Sequence, residues 1–145
     1  IESTIFEYCK DFSEKTDLTI DFNSAGMDYV SLGPDIQINL YRLVQEGLNN
    51  IRKHADAGHA DIKLVASYPN IILRIEDNGK GFDVKNRLAG LTNEKRMGLR
   101  SMEERVGLLE GKMEVTSLPG KGTKIFIEIP CEEKKNVPEK NSPDC

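Results

Sequence analysis

DIQINLYRLVQEGLNNIRKHADAGHADIKLVASYPNIILRIEDNGKGF, residues 35–82, changes from one backbone periodicity to another, and that change decides the fold. In its first half Ile36, Leu40, Leu43, Val44, Leu48, Ile51 and Ala55 recur at three- and four-residue steps. That spacing puts the apolar side chains on one face of an α-helix. Pro34 suits a first helical turn, where its missing N–H costs nothing, and Asp35 suits a cap or an early acidic position. The pattern predicts a helix ending near Ala57-Gly58. In the second half His59–Ser67 and Asn70–Glu76 alternate and are rich in Ile, Leu and Val. With Tyr68-Pro69-Asn70 as their turn, they predict a hairpin. Asp77-Asn78-Gly79-Lys80-Gly81 closes the second strand.

Upstream, Ile5, Cys9 and Phe12 stand at helical spacing within residues 1–16. Leu18 to Phe22 alternates as a strand, a turn follows around Ser24-Ala25-Gly26, and Tyr29 to Leu32 forms a short strand before Gly33-Pro34. Downstream, Asp83 to Met97 is polar and reads as a weak helical turn plus a loop. Leu99 to Leu109 predicts a helix, with Gly111 in the left-handed position that ends it. Lys112–Ser117 and Lys121–Pro130 predict a hairpin around Leu118-Pro119-Gly120. Cys131 to Cys145 carries charge and two prolines with almost nothing apolar, so a disordered tail is expected. Segregated helices and hairpins define an α+β chain: a two-layer α/β sandwich, helices on one face of a mixed, mostly antiparallel sheet. The expected units are a leading helix over 1–16, a domain over 17–130 and the tail over 131–145.

The chain has 145 residues, the size of one domain on the usual prior of roughly 100–200 residues. With 20 Lys+Arg against 24 Asp+Glu, its net charge of −4 argues against direct nucleic-acid binding, which needs a basic surface. No apolar run approaches the ~20 residues of a membrane span, so no membrane contact by this domain is expected. Cys9, Cys131 and Cys145 are odd in number and far apart, which disfavours a disulfide framework or structural zinc and points to the cytoplasm. The chain starts Ile1-Glu2-Ser3, without Met, and is expected to be part of a longer protein.

Four places carry possible chemistry. Glu46, Asn50 and Lys53 lie at i, i+4 and i+7 and share one helix face beside the apolar stripe. The stripe reads as a solvated edge, with Arg42 and Glu46 as an i, i+4 pair. It reads equally as an acid, an amide oxygen and a cation arranged for magnesium and phosphate. Asn49-Asn50 in mid-helix favours a special role, because Asn is a poor interior helix residue. Asp77-Asn78-Gly79-Lys80-Gly81 contains a hairpin-type Asn-Gly, yet no strand pattern follows it. A carboxylate there suits an exocyclic amine, and two glycines suit close approach to a flat ligand. Gly98-Leu99, flanked by Arg96 and Arg100, opens the predicted helix, and a helix N-terminus attracts phosphate. Gly120-Lys121-Gly122-Thr123 is a hairpin turn whose Thr123 falls beside Asp77. Neither the dinucleotide fingerprint nor the Walker A loop fits: Val84 stands where the first needs glycine, and Gly107 to Met113 has the wrong spacing for the second.

In this order the pieces resemble the GHKL ATPase superfamily. Glu46-x-x-x-Asn50-x-x-Lys53-His54-Ala55 is similar to its N box, Asp77-x-Gly79-x-Gly81 to its G1 box, Gly98-Leu99 to its G2 region and Gly120-x-Gly122-Thr123 to its last turn and strand. Gln45-Glu46 with Gly98-Leu99-x-x-Met102-x-x-Arg105 resembles the sensor histidine kinases that pair with NarL-type response regulators. The resemblance covers about residues 1 to 130 and implies the Bergerat fold, with ATP held between helices under a lid, here 86–97. It implies Asn50 on Mg2+, Lys53, His54, Gly98, Leu99 and Arg100 at the nucleotide and its phosphates, and Asp77 on the adenine amino group. Gly79 and Gly81 pass close to the base, Thr123 supports the Asp77 contact, and Glu46 acts as base or positioning group.

The resemblance also implies an upstream dimerisation domain bearing the phosphoacceptor histidine, for which this chain has no candidate. The chain is therefore expected to bind Mg·ATP as a monomer without phosphorylating itself, and to meet the response regulator only indirectly. Competing readings are an anti-sigma-factor-type serine kinase, another GHKL ATPase, or a degenerate nucleotide-binding module.

Overall fold

The computed structural model describes residues 1–83 and 93–133. Helix α1 (Glu2–Lys15) leads into strand β1 (Thr19–Ala25), a 3-10 turn (Met27–Tyr29) and the two-residue strand β2 (Val30–Ser31). Helix α2 (Pro34–Asn50) continues as a wider π-helical turn (Ile51–Ala55), and β3 (His59–Ser67) and β4 (Asn70–Asp77) follow. Helix α3 (Asn93–Leu108), β5 (Lys112–Ser117), β6 (Thr123–Pro130) and β7 (Glu132–Glu133) complete the described chain.

The main sheet has the order β1-β3-β4-β6-β5. β1 runs parallel to β3, and every other pair in it is antiparallel. This is the mixed, mostly antiparallel sheet expected. Alternation places Ala60, Ile62 and Leu64 of β3, Ile71, Leu73 and Ile75 of β4, and Ile125, Ile127 and Ile129 of β6 on one buried face. The helices cover that face with Ile5 and Cys9 of α1, Leu40, Leu43, Val44 and Leu48 of α2, and Met102 and Val106 of α3. Ile5 is fully buried, so α1 packs as part of this core. Ser13 Oγ adds a tie, donating to the Leu18 carbonyl at 3.1 Å and accepting the Ile20 N–H at 3.1 Å.

Four expectations are corrected. Regular α2 stops at Asn50, and the backbone widens through Ile51–Ala55 before Asp56 ends it in the left-handed region at φ 53°. Helix α3 begins at Asn93 rather than Leu99, since the run Glu94 to Met97 consists of good helix formers. Its end is a Schellman turn with Glu110, not Gly111, left-handed at φ 59°. Gly111 N–H reaches the Val106 carbonyl and Glu110 N–H the Gly107 carbonyl, both at 3.0 Å. Gly111 serves close packing instead, because a Cβ there meets the Glu128 carbonyl oxygen at 2.5 Å. Finally, residues 131–133 of the expected disordered tail are ordered, because β7 pairs antiparallel with β2. Residues 134–145 of that tail and 86–92 of the expected lid lie outside the described residues.

Burial pushes the Cys9 thiol from 9.0 up to about 11. The folded chain keeps that proton where the unfolded chain releases it, so stability declines as pH rises from about 9 towards about 11. Urea midpoints measured at about pH 8 and about pH 10.5 should fall more in the wild type than in Cys9→Ala. Equal falls in both would refute the assignment.

Candidate nucleotide site

The π-helical turn is the first element of the site. It rotates Lys53 and His54 toward the same cleft as Glu46 and Asn50, which stand one turn apart on α2. Glu46, Asn49, Asn50, Lys53, His54 and Gly98 line this cleft of about 200 Å³. The polar stripe is therefore a concave surface rather than a solvated edge. Gly98 comes close enough that a Cβ on it meets Asn50 Oδ1 at 2.5 Å. Among the described residues the amide nitrogen, Asn50 Nδ2, is buried without a hydrogen-bond partner.

The second element is the end of the sheet. Asp77 of β4 sits opposite Thr123 of β6, and Thr123 sits opposite Ser117 of β5. These three are the buried polar side chains of the described residues, at 8%, 8% and 5% exposure, and they form one row across three strands. Polar groups concentrate in an apolar core only where partners or ligands satisfy them. Ser117 Oγ lies 2.9 Å from Thr123 Oγ1, donates to the Gly122 carbonyl at 2.9 Å and accepts the Phe82 N–H at 2.8 Å. Asp77 Oδ1 accepts the Gly79 N–H at 2.8 Å.

A second, narrow space joins the two elements. Its lining runs from Asn50, Ile51 and Ala55 to Asp77 and Thr123, with Leu99 of α3 across it. About 20 Å³ is free, room for one water. Asn50 lines both spaces and stands at their junction. An apolar slot with a carboxylate at its end suits a flat ring bearing an amine, and the adjoining cleft with Lys53 and His54 suits anionic groups.

The loop after β4 is locked in place by its glycines. A Cβ on Gly79 meets the Ala55 carbonyl oxygen at 2.2 Å, and Lys80 N–H donates to that same oxygen at 2.7 Å. Gly81, at φ 64°, packs against the Leu118 carbonyl, where a Cβ comes within 2.1 Å. Gly79 and Gly81 thus also allow close approach to the protein's own backbone, at Ala55 and Leu118. Asn78 Oδ1 accepts the Gly58 and His59 N–H groups at 3.1 and 3.0 Å, tying the loop to the start of β3.

Of the residues singled out from sequence, Glu46, Asn50, Lys53, His54 and Gly98 meet in the cleft, and Asp77, Leu99 and Thr123 meet Asn50 in the slot. Two expectations change. Gly98 and Leu99 lie in the second turn of α3 rather than at its start, and they line the cleft and the slot. Arg100 is not among the residues lining either space, and its exposed side chain lies 3.8 Å from Glu104. His59 sits apart on the outer sheet face, 3.2 Å from Asp21 and 3.4 Å from Asp61. Sequence reasoning missed Ser117, whose one signal is its inward place at the end of the β5 alternation.

Residues 35–133 match the family model described as "Histidine kinase-, DNA gyrase B-, and HSP90-like ATPase". The chain belongs to this ATPase family and is a catalytic ATPase domain of it. It is 39% identical over 127 residues to the signal transduction histidine-protein kinase/phosphatase DegS of Brevibacillus brevis, covering 88% of this chain and 31% of that protein. Against the sensor histidine kinase ComP of Bacillus subtilis it is 39% identical over 106 residues, covering 73% of this chain and 13% of that one. The chain thus spans less than a third of these relatives. Among solved structures, the mycobacterial sensor histidine kinase MprB superposes with a TM-score of 0.69 at 18% identity, covering 91% of this chain and 95% of that one.

Proposed function

We propose that this chain binds Mg·ATP as the catalytic domain of a two-component sensor histidine kinase and donates the γ-phosphate to a histidine on an upstream dimerisation domain. The observation that carries this is Asn50 at the junction of two spaces, one apolar and ending at buried Asp77, the other lined by Glu46, Lys53 and His54. Asp77 accepts the adenine amino group, Thr123 supports it from the opposing strand, and Lys53 and His54 contact phosphate oxygens. A purine needs far more than the about 20 Å³ now free, so the slot widens as the base enters.

The oxygens of this cleft fit a magnesium ion: Asn50 Oδ1 and the Glu46 carboxylate lie on its wall, and the buried Asn50 Nδ2 is left as a donor for a phosphate oxygen. When bound, the ion neutralises charge on the phosphate oxygens, the main demand of phosphoryl transfer. Asn50 holds it, and Glu46 positions or polarises the incoming group. The reading further takes the domain to be a cytoplasmic monomer, acting on a NarL-type response regulator only through the phosphorylated histidine. Among the described residues no helix is long and apolar enough to cross a membrane.

A thermal melt with nucleotide tests this. Ligand at about a hundred times its Kd adds roughly 2.7 kcal/mol, several degrees for a domain this size. ATP and ADP should raise Tm and GTP should not. Asn50→Ala should lose the part of the shift that EDTA removes from the wild type. No shift at millimolar ATP overturns the reading, and an unchanged EDTA effect moves the metal away from Asn50.

A further inference from the structure

We propose that Ser101 and Arg105 of α3 are positioning residues for Glu46, holding one carboxylate oxygen so that the other serves the cleft; the role in phosphoryl transfer rests on the reading above. Ser101 Oγ donates to Glu46 Oε1 at 2.9 Å across 55 residues of sequence. Arg105 Nε faces the same Oε1 at 3.9 Å, and Arg105 Nη1 donates to Asn39 Oδ1 at 2.8 Å. Asn39 and Glu46 are two helical turns apart on one face of α2, and Ser101 and Arg105 one turn apart on the facing side of α3. Both contacts fall on Oε1, and no described contact engages Oε2.

The frame behind these two side chains is rigid. Met102 and Val106, each one residue further along α3, are 0% and 1% exposed in the core. Ser101 and Arg105 therefore cannot shift without opening the core, and they present their donors from a fixed distance. A structural role in joining α2 to α3 is already filled by that apolar packing. The Arg105–Glu46 pair is also too long and too solvated to stabilise the fold strongly, with side chains 27% and 30% exposed. What it does supply is orientation. Among the described residues Arg105 Nε is buried with no hydrogen-bond partner, and with Nη1 held by Asn39 Oδ1 it faces Glu46 Oε1 at 3.9 Å.

The test has two independent parts. In the ligand-free chain, the Glu46 side-chain carboxyl carbon resonance should move in Ser101→Ala and in Arg105→Gln and return toward its place in Ser101→Thr. In the full-length kinase, Ser101→Ala and Arg105→Gln should each lower kcat by about 10-fold, with KM for ATP within about twofold, and Ser101→Thr should restore most of it. Combined with Glu46→Gln, neither change should lower the residual rate further, because both act through that carboxylate. An unmoved Glu46 resonance overturns the proposal. So do losses that multiply with Glu46→Gln, or losses that appear in KM alone. Failure of the wild type to bind nucleotide would sink the functional reading instead, while the resonance still decides whether Ser101 and Arg105 hold Glu46.

Discussion

Asp77→Asn should weaken ATP binding by roughly 100-fold while the melting curve of the free chain stays close to wild type. The carboxylate is 8% exposed, closes β4, and lies opposite Thr123 at the blind end of an apolar slot. An adenine amino group entering that slot is a donor and meets an acceptor. Asn keeps one carbonyl oxygen for the Gly79 N–H, which Asp77 Oδ1 accepts at 2.8 Å, so the turn survives. Its other atom becomes an NH2 that sets donor against donor, and the charge is gone. Hydrogen bonds to charged groups contribute about 1.5–3 kcal/mol, and the opposed donors add to that loss. Titration calorimetry with ATP measures the change. Affinity within about threefold of wild type would show that the base is read elsewhere.

Gly79→Ala should cost about 2–4 kcal/mol of stability and lower Tm by roughly 10 °C. The added methyl would stand 2.2 Å from the Ala55 carbonyl oxygen and 2.8 Å from Ala55 Cβ, and neither is the end of a flexible side chain. Relief requires the loop to back away from the π-helical turn, which breaks the 2.7 Å bond from Lys80 N–H to that oxygen. The same movement drags Asp77 and the Lys53–His54 turn apart, so nucleotide binding fails together with stability. Gly107→Ala is the control. It sits in α3 with nothing within 4 Å of its Cβ, and there the substitution should be neutral or gain up to about 1 kcal/mol. A Gly79→Ala chain as stable as wild type would mean that the loop is not locked to the helix end.

The site was legible where its residues are local to one another. Glu46, Asn50 and Lys53 share a face by helical arithmetic, and Asp77 ends a strand whose alternation is visible from Ile71 onward. Their meeting is a different matter. Ser101 reaches Glu46 across 55 residues and Arg105 reaches Asn39 across 66, and no periodicity links such positions. Arg105 stood in a recognised spacing with no role attached, because what it does depends on which face of α2 lies opposite. Arg100 shows the converse. A cation beside Gly98 invites a phosphate role, yet the rotation of α3 sends it to solvent beside Glu104.

By itself the sequence determined the helices, the hairpins, the burial face and the order of the four motifs. Those follow from three- and four-residue steps and two-residue alternation, which are set by backbone hydrogen bonds within a few residues. Tertiary structure alone decided that β1 runs parallel to β3 and that Glu110 rather than Gly111 takes the left-handed position. It also decided that Asp77, Thr123 and Ser117 form one buried row and that α3 grips Glu46. Each of these is settled by atoms brought together from distant segments, where the volume left between packed helices and sheet selects which side chains can touch.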